Sequence, residues 1–100
     1  MGIDPVVLAL SAAGEETARR LADELGLQMH GRRDRVGRAD AMFDNALEHV
    51  QALFVAGVPV IGVCAAGILI RAVAPHLSDK TKEPPVVAVS DDGAVVVPLL

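Results

Sequence analysis

Tryptophan and tyrosine are absent from this 100-residue chain, and phenylalanine occurs only at Phe43 and Phe54. No aromatic platform is left on which bases could stack, which weighs against single-strand nucleic-acid binding. The formal net charge of -4 argues against a nucleic-acid surface over the whole domain. Cys64 is the single cysteine, so no internal disulfide framework exists. No apolar run approaches the ~18 residues of a membrane-spanning helix, and the chain is expected to have no membrane partner. Met1 to Pro5 is too short for a secretory signal and carries Asp4 where cations belong. The expected compartment is the cytoplasm. Histidines at 30, 49 and 76 show no metal-ligand spacing, and one cysteine cannot complete a set, so no metal is expected.

What remains is aliphatic. Hydrophobic residues make up 52% of the chain and aromatics 2%, a composition suited to a parallel sheet covered by helices. The length fits one domain, residues 1–100. Pro5–Leu10 reads as a buried first strand. Ser11–Gly14 reads as a turn, and Glu15 to Leu25 as a helix with Ala18, Leu21, Ala22 and Leu25 on its apolar face. Glu15 with Arg19 and Glu16 with Arg20 are at i,i+4 spacing on the other face, and Gly26 is a helix stop. Leu27–His30 is a weak second strand, and Gly31 to Arg38 a loop. Asp40 is a candidate cap for a second helix whose apolar face is Phe43, Ala46, Leu47, Val50, Leu53 and Phe54. Val58–Val63 is the third strand, with Pro59 near its start. Ala65 to Val73 forms a third helix, apolar on nearly every side and ended by Pro75. Val86–Val89 and Ala94–Val97 flank Ser90-Asp91-Asp92-Gly93, a hairpin signal. The order β-α-β-α-β-α-β-β gives a three-layer α/β fold. Its mostly parallel sheet has strand order 2-1-3-4 and a C-terminal hairpin strand. The apolar end, Pro98-Leu99-Leu100, leads us to expect an N-terminal module cut from a longer enzyme.

The feature with most functional content is the turn Gly62-Val63-Cys64-Ala65-Ala66-Gly67, where a buried strand hands over to a helix. Ligands of open α/β sheets bind beyond the carboxyl ends of strands. The small residues Gly62, Ala65, Ala66 and Gly67 would let a ligand approach the backbone, and a helix start favours a carboxylate or phosphate. Equally, small residues permit tight helix–strand packing. Cys64 sits where a helix start lowers a thiol pKa, yet no base is nearby, and a buried packing residue is the better reading. Arg71, four residues after Gly67, shares its helix face and is a candidate to reach back toward an anion; an ion pair with Asp79 is the alternative. Arg32, Arg33, Arg35 and Arg38, offset by Asp34, form a basic loop that either steers an anionic substrate or is simply solvated. Asp79 and Lys80 belong to a charged loop that is either substrate-facing or ion-paired.

The run from Gly62 through Arg71, Ala74-Pro75 and Asp79-Lys80, with Pro85–Val89 and Asp92-Gly93, resembles the N-terminal domain of the cobalt-precorrin-5A hydrolase family. That family opens a lactone on a corrin precursor and releases acetaldehyde during cobalamin synthesis. The same module occurs fused ahead of precorrin-3B C17-methyltransferase, which uses S-adenosylmethionine. Before Gly62 only the β-α-β-α layout matches. The family segment continues into a Gly-His-Gly-rich stretch after the paired leucines, and it carries Asp-Pro where this chain has Glu83-Pro84-Pro85. The resemblance implies a polycarboxylate corrinoid as partner, together with the remaining domains of the parent enzyme. It implies no cofactor in this domain itself, with S-adenosylmethionine belonging to the parent if that is a methyltransferase. The implied substrate-facing residues are Gly62, Cys64, Ala65, Ala66, Gly67, Arg71, Asp79 and Lys80, and the pattern names no catalytic residue. A fused methyltransferase is the leading expectation and a stand-alone hydrolase the second. A dimerising scaffold is the third, motivated by the nearly all-apolar third helix, since a helix apolar on every side needs cover all round.

Overall fold

A computed structural model describes residues 3–78 and 83–100. The elements are β1 (Val6–Ala9), α1 (Ala12–Leu25), β2 (Gln28–Arg32), β3 (Ala41–Phe43), α2 (Ala46–Val55), β4 (Val60–Val63), α3 (Ala66–Val73), β5 (Val86–Val89) and β6 (Val96–Pro98). They build one sheet of six strands in the order β3-β2-β1-β4-β5-β6. All neighbours are parallel except β5 and β6, which pair antiparallel as the hairpin signal required.

Alternation along the strands sorts the core into two layers. Val7, Ala9, Met29, Val63 and Val89 face α1 and pack on its Ala18 and Ala22. Val6, Leu8, Val60, Val86 and Ala88 face the other way and meet Val50 and Phe54 of α2 and Leu69, Ala72 and Val73 of α3. β1, β4 and β5 are therefore apolar on both sides, which is why the sequence shows continuous Val-rich runs there. The α/β architecture and the order of the four central strands agree with the sequence reading. No described helix is long and apolar enough to cross a membrane.

The edge beyond β2 departs from the reading. Phe43 belongs to β3 and not to the second helix, although its side chain joins the layer that α2 covers. Its place on the helical period is an accident of a strand ending three residues before a helix starts. Asp40 does not cap α2. Its backbone N–H donates to the Met29 carbonyl at 2.8 Å, and its carboxylate accepts the Met29 N–H at 2.8 Å, so it extends the strand ladder. Those contacts, with Arg19 at 3.3 Å, hold the Asp40 carboxyl below its ordinary pKa. Asn45 is the true cap, its side chain accepting the Glu48 N–H at 3.0 Å. β2 and β3 are joined by an eight-residue return, 33–40, that drops the buried Val36 onto Gly31. A Cβ at Gly31 would lie 2.8 Å from Val36 Cγ1, so the close approach requires glycine.

Two smaller corrections concern α1. It begins at Ala12, so Ala12 to Gly14 form its first turn. Arg19 pairs with Asp23 and Asp40 and not with Glu15, while Arg20 does approach Glu16, at 3.9 Å. Glu15 is occupied elsewhere: its carboxylate accepts the backbone N–H groups of Gly37 and Arg38. α3 buries Leu69, Ala72 and Val73, and its exposed side carries Gly67, Ile70 and Arg71, so it is apolar on nearly every side except at Arg71.

Candidate functional site

β1 and β4 lie side by side at the centre of the sheet. β1 leads through α1 to β2 on one side, and β4 leads through α3 to β5 on the other. The chain therefore changes direction between them. In open α/β sheets such a switch point forms a crevice at the carboxyl ends of the strands. The Gly62–Gly67 turn lies on this edge, and so does the Ser11 start of α1.

The helix starts on this edge are not equivalent. α2 is capped by Asn45. α1 follows Ser11 and α3 follows Ala65, and neither residue makes a side-chain capping bond. Ala65 has extended backbone (φ -65, ψ 135), the geometry of a cap residue, but no oxygen to supply. The two helix starts that flank the switch point thus keep the positive end of the dipole without a side-chain acceptor.

Within the turn, the two glycines do different things. A Cβ at Gly62 would sit 2.8 Å from Leu69 Cδ1, so Gly62 allows α3 to press onto the sheet. The packing reading holds there. Gly67 has no atom within 4 Å of such a Cβ and faces open space. Ala65 is exposed, and Ala66 and Cys64 are half-buried. Burial, with a smaller contribution from Asp91, pushes the Cys64 thiol up to about 11, so it is a packing residue and not a thiolate nucleophile.

Asp91 was missed by sequence reading because it sits in a hairpin turn. Its carboxylate approaches to 3.0 Å of where a Gly14 Cβ would be, in the first turn of α1. The Thr17 hydroxyl donates to its carbonyl oxygen. Asp91 therefore lies between the two helix starts, close to Gly14 in the first turn of α1 and beside Cys64 before α3. Beside it a shallow groove of about 360 Å³ runs between Cys64, Ala66, Ser90, Asp91, Val95 and Val97. Arg71 lies on the exposed face with Gly67, in the last turn of α3, and among the described residues it has no ion-pair partner. Asp79 and Lys80 lie outside the described residues.

The basic loop leaves the same edge after β2, and carboxylates answer much of its charge. Arg33 pairs with Asp44 at 3.0 Å. Arg32 Nε lies 3.0 Å from Asp34 without hydrogen-bond alignment, and Arg35 lies 3.6 Å from the same residue. Glu15 fixes the loop backbone. Next to this loop the fold makes a contact that spacing did not disclose. His30 Nδ1 and His49 Nε2 are 2.9 Å apart, although 19 residues separate them in the chain. Phe43 stacks on His49 with centroids 4.5 Å apart. Burial lowers the pKa of both imidazoles, so the pair is neutral at neutral pH.

The family described as Cobalamin synthesis G N-terminal matches residues 48–100, just over half of the chain. No curated protein matches. Among solved structures, a protein of Sulfolobus solfataricus described as a cobalamin biosynthesis protein G homolog shares the fold, with a TM-score of 0.60 at 18% identity. The match covers 99% of this chain and 29% of that one.

Proposed function

This chain belongs to the Cobalamin synthesis G N-terminal family, and on that premise we propose that its carboxyl sheet edge binds a carboxylate-fringed corrin precursor for a cobalamin-pathway enzyme. The observation that carries the reading is the pair of helix starts at the switch point without side-chain caps. A peripheral carboxylate of the ring takes the start of α3, where Ala65 and Gly67 leave the backbone approachable. Arg71 meets a second carboxylate from the exposed face. The apolar side of the groove, Ala66 with Val95 and Val97, packs against the ring. Asp91, between the two helix starts, sets orientation by confining the ring carboxylates to the Ala65–Gly67 side of the groove. These residues bind and present; bond making and breaking belongs to the rest of the enzyme.

For the parent enzyme, we favour a precorrin-3B C17-methyltransferase that carries this module and uses S-adenosylmethionine in another domain. The terminal run Val97-Pro98-Leu99-Leu100 supports that reading through its likeness to fused forms. A stand-alone cobalt-precorrin-5A hydrolase is the second reading, which rests on the same family resemblance. Supplying the intact parent with corrin precursor and S-adenosylmethionine separates them. Methyl transfer to the ring supports the first, and acetaldehyde release without methylation supports the second. The binding proposal is tested by titrating the chain with a polycarboxylate corrin and following the ring absorbance. Saturable binding that Arg71→Ala weakens is the expected result, and absence of binding rejects the reading.

A further inference from the structure

We propose that His30 and His49 form a two-histidine site for a late first-row divalent cation such as zinc, at the β2–α2 edge and separate from the switch-point crevice. The two ring nitrogens already converge, Nδ1 of His30 to Nε2 of His49 at 2.9 Å. A four-coordinate cation with bonds of about 2.0–2.1 Å would hold two nitrogens about 3.3 Å apart, so a few tenths of an ångström of opening admits it. The outer nitrogens support the same arrangement. His30 Nε2 lies 3.2 Å from Gln28 Oε1, an acceptor that keeps the proton on Nε2 and leaves Nδ1 with its lone pair. His49 then donates from Nε2 in the empty pair. When the cation enters, that proton moves to His49 Nδ1, both rings stay neutral, and each presents one lone pair to the metal.

The surroundings suit a cation. Phe43 lies flat against His49 at an interplanar angle of 7° and restricts its rotation. Asp44 and Glu48 line the open hollow of about 300 Å³ beside His49, and Asp40 acts on His30 through its charge. Neutral imidazole ligands favour zinc, nickel or copper over magnesium or calcium. Among the described residues no third histidine, cysteine or carboxylate converges on the point, so water completes the coordination.

Zinc chloride titrated into the full chain at pH 7.5 tests this. Calorimetry gives the stoichiometry, and long-range proton–nitrogen spectra of the histidine rings give the ligands. One equivalent of zinc is expected to shift Nδ1 of His30 and Nε2 of His49 while leaving His76 unmoved. His49→Gln should weaken binding at least tenfold, and Gln28→Ala about tenfold, as loss of an outer partner does. The ring spectra of the unmodified chain decide the question even if a variant loosens α2. No saturable uptake, shifts confined to His76, or uptake unchanged in both His30→Gln and His49→Gln would overturn the proposal.

Discussion

The start of α2 and the start of α3 lie on the same edge of one sheet, yet the chain treats them in opposite ways. At α2 the sequence supplies Asn45, whose side chain closes the first turn. At α3 it supplies Ala65, which has the backbone of a cap and nothing to cap with. A helix start left without a side-chain acceptor forgoes about 0.5–2 kcal/mol that a single substitution could add. That omission coincides with the strand-order reversal, and the proposed binding assigns the α3 start to an oxygen of the ligand. α2, whose start is capped, lies off the reversal.

The largest perturbation removes what positions α3. Leu69 is fully buried and seats on Gly62. Leu69→Ala should cost about 2–5 kcal/mol in chemical denaturation and should lower corrinoid affinity as the helix start shifts. If stability falls and affinity does not, the position of the α3 start is irrelevant to binding.

The next pair of variants sets the two helix starts against each other. Asn45→Ala should destabilise the fold by about 1 kcal/mol without changing affinity for the corrin. Ala65→Asp should stabilise it by a similar amount while weakening binding, because the new carboxylate occupies the place of the ligand's. A weaker thermal midpoint for Ala65→Asp would show that the α3 start is not open in the way described.

Much of this contrast is legible in the sequence, and some is not. The Val-rich runs of β1, β4 and β5 mark the buried strands directly, but spacing points to Asp40 and not Asn45 as the cap of α2 and puts Ala65 inside α3 instead of before it. Ser11 misleads, since serine is a preferred cap and makes no capping bond here. β3 is hidden because three residues are too few to show alternation, and because Phe43 lies on the period of α2. The histidine pair is invisible to spacing: β2 and α2 bring His30 and His49 together only by packing.

A smaller effect comes from that pair, measured in chelator-treated buffer. Burial lowers both pKa values from the ordinary 6.5, so the folded state binds fewer protons than the unfolded state. The stability that the neutral pair contributes is full above pH 6.5. It is lost as pH falls from there through the lowered folded values. His49→Gln should flatten that part of the stability–pH curve, and an unchanged slope would remove the pair as its source. The smallest effect is expected at the basic loop. Arg35, exposed and 3.6 Å from Asp34, should change stability by less than about 0.5 kcal/mol when replaced by alanine.

The proposed corrin binding requires that the α3 start stay open for an anion carried by the corrin precursor. Titrating the wild-type chain and Ala65→Asp with the same polycarboxylate corrin, alongside their thermal midpoints, tests it most directly. A higher midpoint and at least tenfold weaker binding are expected for Ala65→Asp. Equal affinity in the two proteins, with the midpoint raised, would contradict it.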